Sequence, residues 1–373
     1  MSPAELLAPD LVRMAFVLGM VFSVLLYEKS HLTTGSIVVP GFLGVLIFEP
    51  LVMMVTIFNA AVCYWVVHQI APRFFLIPAK VKFYALVITS VLIQLLLGIV
   101  ANQASAFAEN ASLLSGLGFV VPGLIAHDMA RNGVLKTASN TLAVSVIVGG
   151  ILFFWIFLFP NSTLNAGDFA RLPFSFELAL MLAISTIGSV LLKLNSSIRS
   201  AGFVTAAYLV FFSPSPLVLV ALFFAATATY LVCCNLLIPS MIIFGRRKFA
   251  LMLMVGSIVM WGVLLLLKWA GIPLAIADHP LYAGILILVP GLIANEVQRT
   301  SVLQVSSGLG LMTAWIFAFG RLYHELQTFV RPSVVLPLSL GLIGILLLML
   351  CLKSLPFANP SSPNLFLDRR VTT

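Results

Sequence analysis

The tripeptide Val-Pro-Gly occurs three times in this chain, each time inside an apolar run. Proline has no backbone N–H and clashes with the preceding turn, and glycine weakens a helix, so each copy predicts a break in a membrane segment. The prolines are 82 residues (122 − 40) and 168 residues (290 − 122) apart, and 168 is twice 84. The predicted breaks are Pro40-Gly41, Pro122-Gly123 and Pro290-Gly291.

A near-constant spacing predicts a chain built from repeats. A fourth unit is then expected near residue 206, where Ala207-Tyr208 would stand in place of Pro-Gly. The stretch around it, which begins at Gly202, shares with the first copy only a leading glycine and an apolar character. The fourth unit is therefore inferred from spacing more than from identity.

The composition excludes a soluble protein. Of 373 residues, 61% are hydrophobic and 9% are charged, and the mean hydropathy is +1.14. Such a chain has too little polar surface to cover a soluble body, so it is predicted to be a multi-spanning, all-α integral membrane protein. Its four cysteines lie in apolar segments without C-x-x-C spacing, so we expect neither a metal site nor a cofactor.

Thirteen apolar runs can be counted. Several are shorter than the roughly 20 residues that a membrane-spanning helix needs, so the short ones could instead be re-entrant hairpins. The runs cover residues 11–27, 35–48, 51–71, 83–101, 113–126, 138–159, 177–192, 201–212, 216–238, 249–267, 281–294, 302–319 and 335–352.

The distribution of positive charge favours thirteen full crossings. If every run crosses, one side receives five of the 20 Lys and Arg residues, which leaves fifteen (20 − 5) for the other side. Loops rich in Lys and Arg stay in the cytoplasm, so this polarity predicts an N-terminus outside and a C-terminus inside a bacterial inner membrane. The five are Arg13, Arg171, Lys268, Arg321 and Arg331.

Three helices per unit is an odd number, so neighbouring units must run in opposite directions across the membrane. Two inverted pairs then make two parallel halves, an arrangement that transporter folds also use. The predicted halves are residues 11–160 and 177–319, followed by an extra helix at 335–352 and a cytoplasmic tail at 353–373.

Three stretches resemble the membrane subunit of poly-gamma-glutamate synthase, the capsule-biosynthesis CapC or PgsC family. They are the sixteen residues from Glu28 to Leu43, the loop Phe244-Gly-Arg-Arg-Lys-Phe-Ala, and Val289-Pro-Gly-Leu-Ile-Ala-Asn-Glu-Val-Gln-Arg. Family members are usually about half this length, so the chain resembles a tandem duplication. Each half keeps only part of the motif set: Asn195-Ser196 stands opposite Glu28-Lys29 in the second half.

The resemblance implies partners more than an active site. Family members resemble one another as membrane subunits beside a Mur-ligase-like, ATP-dependent amide ligase that grows an anionic polymer. This chain has no Gly-x-x-x-x-Gly-Lys-Ser/Thr loop for nucleotide phosphates, so we expect no catalytic residue of its own and no nucleic-acid partner. The expected partners are the ligase, other synthase subunits, the polymer and the lipid bilayer.

Two sets of residues are candidates for a site. The first is basic, and it either only orients the protein or docks the ligase and contacts polymer carboxylates, which guanidinium groups bind in a two-pronged manner. It comprises Arg246, Arg247, Lys248, Arg73, Lys80 and Lys82. The second consists of polar pairs near the helix breaks, which either cap helix ends or line a shared cytoplasmic vestibule. It comprises Glu28, Lys29, His127, Asp128, Asn295 and Glu296.

A rival function comes from the architecture alone. Inverted repeats with broken helices are typical of secondary transporters, here for a small anion. No Asp or Glu is predicted at mid-membrane depth, which argues against a proton- or sodium-coupled carrier. Uncharged polar residues in the apolar runs, such as Gln94 and Asn59, are predicted to form interhelical hydrogen bonds.

Overall fold

A computed structural model describes most of the chain, and every regular element in the part it describes is helical. The prediction of an all-α protein is confirmed over these residues. The described residues are 8–48, 50–74, 79–103, 116–158, 176–195, 202–241, 243, 245–272 and 280–329. The predicted thirteenth helix at 335–352, the tail at 353–373 and Asn195's neighbour Ser196 lie outside them.

Six helices make up the first half of the described chain. They are α1 (Ala8–Ser30), α2 (Val39–Val45), α3 (Pro50–Trp65), α4 (Ala79–Gln103), α5 (Val121–Asn132) and α6 (Val134–Leu158). A 3-10 turn, Leu46–Phe48, follows α2. A π turn, Val66–Ile70, and a last helical turn, Ala71–Phe74, continue α3.

Six more helices follow in the second half. They are α7 (Phe176–Asn195), α8 (Phe203–Phe212), α9 (Pro216–Leu231), α10 (Arg246–Trp269), α11 (Pro280–Arg299) and α12 (Val302–Phe329). A π turn, Val232–Leu237, and a last helical turn, Ile238–Met241, continue α9 as the corresponding turns continue α3.

Six segments of the described chain are long and apolar enough to cross a membrane, so this is a multi-pass membrane protein. They are Pro9–Ser30, Pro50–Arg73, Val134–Leu158, Pro216–Ser240, Arg246–Trp269 and Val302–Arg321. The other helices do not meet this criterion, and α2, α5 and α8 are the shortest of them. These three helices correspond to three of the short apolar runs of the sequence.

The glycine of each Pro-Gly pair lies where two backbones touch. A Cβ atom built on Gly41 would lie 2.7 Å from the Cα atom of Phe16, in the middle of α1. One built on Gly291 would lie 2.7 Å from the Cα atom of Leu253 in α10, and one on Gly123 2.9 Å from that of Val87 in α4. A side chain at any of these positions would push the helices apart, so the motif supports close packing at mid-depth.

Of the three predicted helix breaks, two coincide with the start of a helix, and the prediction of a break at the third is wrong. Pro40 and Pro122 lie in the first turn of α2 and α5, where a missing N–H costs nothing. Pro290, by contrast, lies inside the continuous helix α11. This helix packs against both α9 and α10, and burial between them holds it together despite the lost backbone hydrogen bond.

The stretch near residue 206, where a fourth unit is predicted, makes a hydrogen bond like one made before Pro122-Gly123. The Ser185 hydroxyl donates to the carbonyl oxygen of Phe203 at 2.5 Å, as the Ser90 hydroxyl donates to that of Phe119 at 2.7 Å. These two bonds align residues 206–207 with Pro122-Gly123, rather than the predicted Ala207-Tyr208. Alanine therefore occupies the proline and glycine positions, and the closely packed one, Ala207, is fully buried.

The short helices α2 and α5 begin near mid-depth and point in opposite directions. After α1 the chain turns back along it, because Thr34 and Ser23 share a hydroxyl hydrogen bond of 2.5 Å. It then reaches Gly41 beside the middle of α1 and continues as α2. Helix α5 instead runs toward the end of α1, where Asn132 donates to the Thr33 hydroxyl. The segment 31–48 thus consists of an irregular, bent part that returns along α1, followed by α2 and a 3-10 turn.

Candidate functional site at the basic face

The two halves of the chain meet along two seams. Helix α1 packs against α10 and α11, and α7 packs in the corresponding way against α4. Both seams reach the end of the bundle where α1 ends and α10 begins, which we call the basic face. The seam between α1 and α10 is named the ionic seam, and the seam between α4 and α7 the aromatic seam.

Two ion pairs join the halves on the ionic seam. Arg247 of α10 contacts the Glu28 carboxylate at the end of α1. Its neighbour Arg246 places a guanidinium nitrogen, Nη2, 3.5 Å from the buried Oδ2 atom of Asp128 in α5. The basic loop and two members of the predicted vestibule are therefore one cluster, and each ion pair takes its carboxylate from the first half and its cation from the second.

The start of α10 makes this cluster attractive to anions. Gly245, with φ +63°, turns the chain into the helix, and three cations follow at once in the first turn, Arg246, Arg247 and Lys248. The positive end of a helix dipole disfavours cations, and the first backbone N–H groups lack partners within the helix. Carboxylates from another element offset both effects.

An aromatic ring and an amide complete the contacts of the three cations. The Arg246 guanidinium carbon lies 5.2 Å from the centre of the Tyr27 ring, a cation–π contact across the seam. Lys248 donates to the side-chain oxygen of Gln298 on α11. All three cations of the loop thus have a partner on a different helix, which fixes the loop relative to both halves.

The other vestibule residues lie on the same face but do not all join the cluster. Glu296 faces Arg299 of its own helix at 3.5 Å, and Asn295 beside it is buried. The His127 ring lies 5.1 Å from the Phe83 ring and within electrostatic range of Arg246. Lys29 is exposed.

The first-half members of the predicted basic set lie apart from the α10 loop. Arg73 is exposed near the end of α3. Lys82 lies in the first turn of α4. Both Lys82 and His127 lie within electrostatic range of His68. Lys80 is in the same turn, and its side chain is not among those described. A role of either set in docking or polymer contact stays a prediction.

The aromatic seam has different chemistry at the equivalent place. Phe203 of α8 lies 6.1 Å from the Phe83 ring and 5.9 Å from the Tyr84 ring of α4, edge to face in both cases. The Lys193 ammonium of α7 lies 5.0 Å from the centre of the Tyr84 ring. The halves are joined here by ring packing and one cation–π contact.

A third cluster, which the sequence did not indicate as a site, clamps the far end of the ionic seam. The Arg13 guanidinium lies 2.6 Å from Oδ1 of Asp10, and Trp261 of α10 donates to the same oxygen at 2.9 Å. Both charged residues are buried. The spacing of three residues in a helix was the available signal, because it puts opposite charges on one face.

The interior differs from the prediction at Gln94. This residue is fully buried in α4, and within the described part of the chain neither its amide nitrogen nor its amide oxygen has a hydrogen-bond partner. The Asn59 side-chain oxygen accepts from the Cys63 thiol at 3.5 Å within the same helix. The predicted interhelical hydrogen bonds are therefore wrong for these two residues. Among the described residues, no group of three His, Cys, Asp or Glu side chains could hold a metal ion.

Comparisons with known proteins agree with the resemblance of the three stretches. PGA biosynthesis protein CapC of Bacillus subtilis (strain 168) is 28% identical over 143 residues, which are 37% of this chain and 91% of that protein. Capsule biosynthesis protein CapC of Bacillus anthracis is 30% identical over 131 residues, 35% of this chain and 86% of that protein. No solved structure matches the chain.

The family comparison matches the chain twice. The model described as Capsule biosynthesis CapC covers residues 18–138 and again residues 177–306, which together exceed half of the chain. Each matched segment lies in one half of the bundle and ends near the basic face or just beyond it. The chain belongs to the capsule biosynthesis CapC family.

Proposed function

We propose that this protein is the membrane component of a poly-gamma-glutamate-type capsule synthase and that its basic face anchors a cytoplasmic, ATP-dependent amide ligase. The observation that carries the proposal is the first turn of α10, where three consecutive cations are held at the seam between the halves. The names of the two Bacillus relatives, which refer to PGA and capsule biosynthesis, support a capsule polymer of this type as the product.

The proposal includes a tandem duplication, with each half standing for one single-length family member. Helix starts support it, since Val134 and Val302 are 168 residues apart (302 − 134). The π turns of α3 and α9 support it as well, because each precedes a proline at equivalent places, Pro72 and Pro239. Opposed α2 and α5 are what inverted units within a half would produce.

Orientation follows from the same charges. Lys and Arg concentrate on the cytoplasmic side of membrane proteins, so the basic face is assigned to the cytoplasm of a bacterial cell and the N-terminus to the outside. A ligase that consumes ATP must also work on that side. A polymer path through the bundle is part of the proposal, and the buried, unpartnered amide of Gln94 is consistent with a polar interior.

The second candidate is a secondary transporter for a small anion. Two oppositely directed helices that begin near mid-depth, α2 and α5, are the feature that favours it, since transporter sites are built at such helix ends. Uptake of labelled glutamate into liposomes that contain only this protein would favour the transporter. Polymer output that requires both this protein and a ligase favours the synthase.

Neutralising the loop tests the anchoring role. Arg246, Arg247 and Lys248 are replaced together by glutamine, and the matched control replaces three exposed cations elsewhere on the basic face, Arg131, Lys136 and Arg299. At equal membrane abundance, ligase co-purification should fall in the first variant and stay near wild type in the control. Added salt should weaken ligase capture by the wild type, because exposed charges are screened within about 10 Å at 0.1 M salt.

Equal losses in both variants would mean that total positive charge, and not the loop, attracts the partner. Unchanged ligase capture in the loop variant would remove the loop from the docking surface.

A further inference from the structure

We propose that Arg247 is an exchangeable carboxylate-binding group: Glu28 occupies its guanidinium in the free protein, and a carboxylate of a polyglutamate chain takes the place of Glu28. This inference rests on the proposed function in one respect, the polycarboxylate nature of the polymer. It does not depend on whether the basic face anchors a ligase.

The two arginines of the ionic seam differ in how firmly they are held. Arg246 has 23% of its side chain exposed, and its carboxylate partner Asp128 has 6% exposed. Arg247 has 57% exposed and Glu28 has 36%. Ion pairs between exposed side chains add little net stability, so the Arg247–Glu28 pair can open at low cost. The Arg246–Asp128 pair is shielded, and the Tyr27 ring below the guanidinium holds it further.

Asp128 fixes the geometry of the exchange. Its Oδ2 atom is buried and has no hydrogen bond, so Arg246 at 3.5 Å is the charge that compensates it. Because Arg246 must stay near this buried carboxylate, it cannot turn toward an incoming ligand without leaving a charge uncompensated. Arg247, the next residue on the helix, is the guanidinium free to change partner.

A polycarboxylate gains more at this place than Glu28 does. Its chain carries many carboxylates, and other exposed cations lie on the basic face as well, among them Lys29, Arg131 and Arg299. One carboxylate can replace Glu28 while others lie near these cations, and linked contacts strengthen one another. Glu28 thereby acts as an internal competitor that a longer anion displaces.

Among the residues that the structure describes, the exchangeable pair occurs once. Gly123 packs on Val87 as Gly291 packs on Leu253, which aligns Val81 with Arg247, each six residues before the contact (87 − 81 and 253 − 247). An apolar residue thus stands at the Arg247 position on the aromatic seam. Asn195 stands opposite Glu28. In its described part, the aromatic seam thus has neither member of the exchangeable pair.

The test uses the sign of two single substitutions. The full chain, purified in detergent, is titrated into a short fluorescent polyglutamate, and binding is followed by anisotropy. Glu28→Gln should tighten binding about two- to fivefold, because it removes the competitor, whereas Arg247→Gln should weaken it by a similar factor. The double variant should bind like Arg247→Gln, since no guanidinium remains to be uncovered.

Controls separate exchange from other effects. Glu28→Ala repeats the removal with a different side chain, and Lys29→Gln next to it should weaken binding slightly and never tighten it. Thermal unfolding of each variant shows whether the seam is intact. A sulfated dextran of similar charge tests carboxylate preference: binding tightened equally for both polyanions would leave only general electrostatic attraction and overturn the site.

Weaker binding by both Glu28→Gln and Arg247→Gln would make the pair structural and overturn the exchange. Absence of polyglutamate binding by the wild type would overturn it too, while ligase capture, measured separately, would stand or fall by itself.

Discussion

The ionic and aromatic seams occupy equivalent places between the two halves, yet they are built from different chemistry. On the ionic seam, carboxylates of the first half face arginines of the second. On the aromatic seam, Phe203 packs against two rings of α4, and Lys193 lies over one of them. Both seams hold the halves together, so packing alone does not require the charges of the ionic seam.

The difference shows that the ionic seam depends on residues from both halves of the chain. The first half keeps Glu28 and the second keeps Arg246 and Arg247, and the fold brings these residues to the same seam. Neither half could form both ion pairs alone. The ionic seam therefore carries ion pairs between the halves, whereas the aromatic seam carries ring contacts and a lysine over one ring.

The largest effect is expected at the far end of the ionic seam. Arg13→Leu removes the cation beside the buried Asp10 carboxylate, to which Trp261 still donates a hydrogen bond, and an uncompensated buried charge costs about 3–5 kcal/mol. The midpoint of thermal unfolding in detergent should fall sharply. Arg13→Leu combined with Asp10→Leu should recover much of the loss, and a loss that persists in the double variant would point to side-chain packing in place of charge.

The aromatic seam should respond to loss of volume. Phe203→Ala removes a buried ring from between α4 and α8, at a cost of about 3–5 kcal/mol at most. The control is Phe224→Ala, on a ring that is largely exposed on α9. The destabilisation by Phe203→Ala should be independent of salt. A strong salt dependence would mean that charges also join the halves at this seam.

Much of the fold was accessible from the sequence because local rules govern it. Apolar run length and the Pro-Gly spacing predicted the helices of the described chain and their order. Continuity at Pro290 was not accessible, because it depends on burial of α11 between α9 and α10. The π turns could have been found, since Pro72 and Pro239 lie at equivalent places near the ends of long apolar runs.

The candidate site was accessible only as separate pieces. Glu28 and Arg247 are 219 residues apart, and no rule of spacing in one sequence pairs them. Two separate features, polar residues near the helix breaks and a basic loop, were predicted to matter, and together they include all four members of the two ion pairs. Their pairing required the packing of α1 against α10, which tertiary contacts determine.

A smaller effect is expected from Asp128→Asn, which keeps the shape of the side chain and removes the charge facing Arg246. The loss should be about 1–2 kcal/mol, because a hydrogen bond or ion pair with a charged group is weakened without a new cavity. Thermal unfolding measures it. Glu296→Gln, whose carboxylate faces its own helix, is the matched control and should change the midpoint little.

The smallest effect belongs to the exposed pair, and it distinguishes a seam that needs this contact from one that leaves it free to change partner. Glu28→Arg and Arg247→Glu each place like charges together, whereas the double variant restores an opposite pair in reverse. A double-mutant cycle on thermal unfolding should give a coupling of about 0.2–1 kcal/mol, because both side chains are substantially exposed. The coupling should decrease as salt is raised. A coupling above about 2 kcal/mol would mean that the pair holds the halves together as Asp10 and Arg13 do, and Glu28 could then not act as a displaceable competitor.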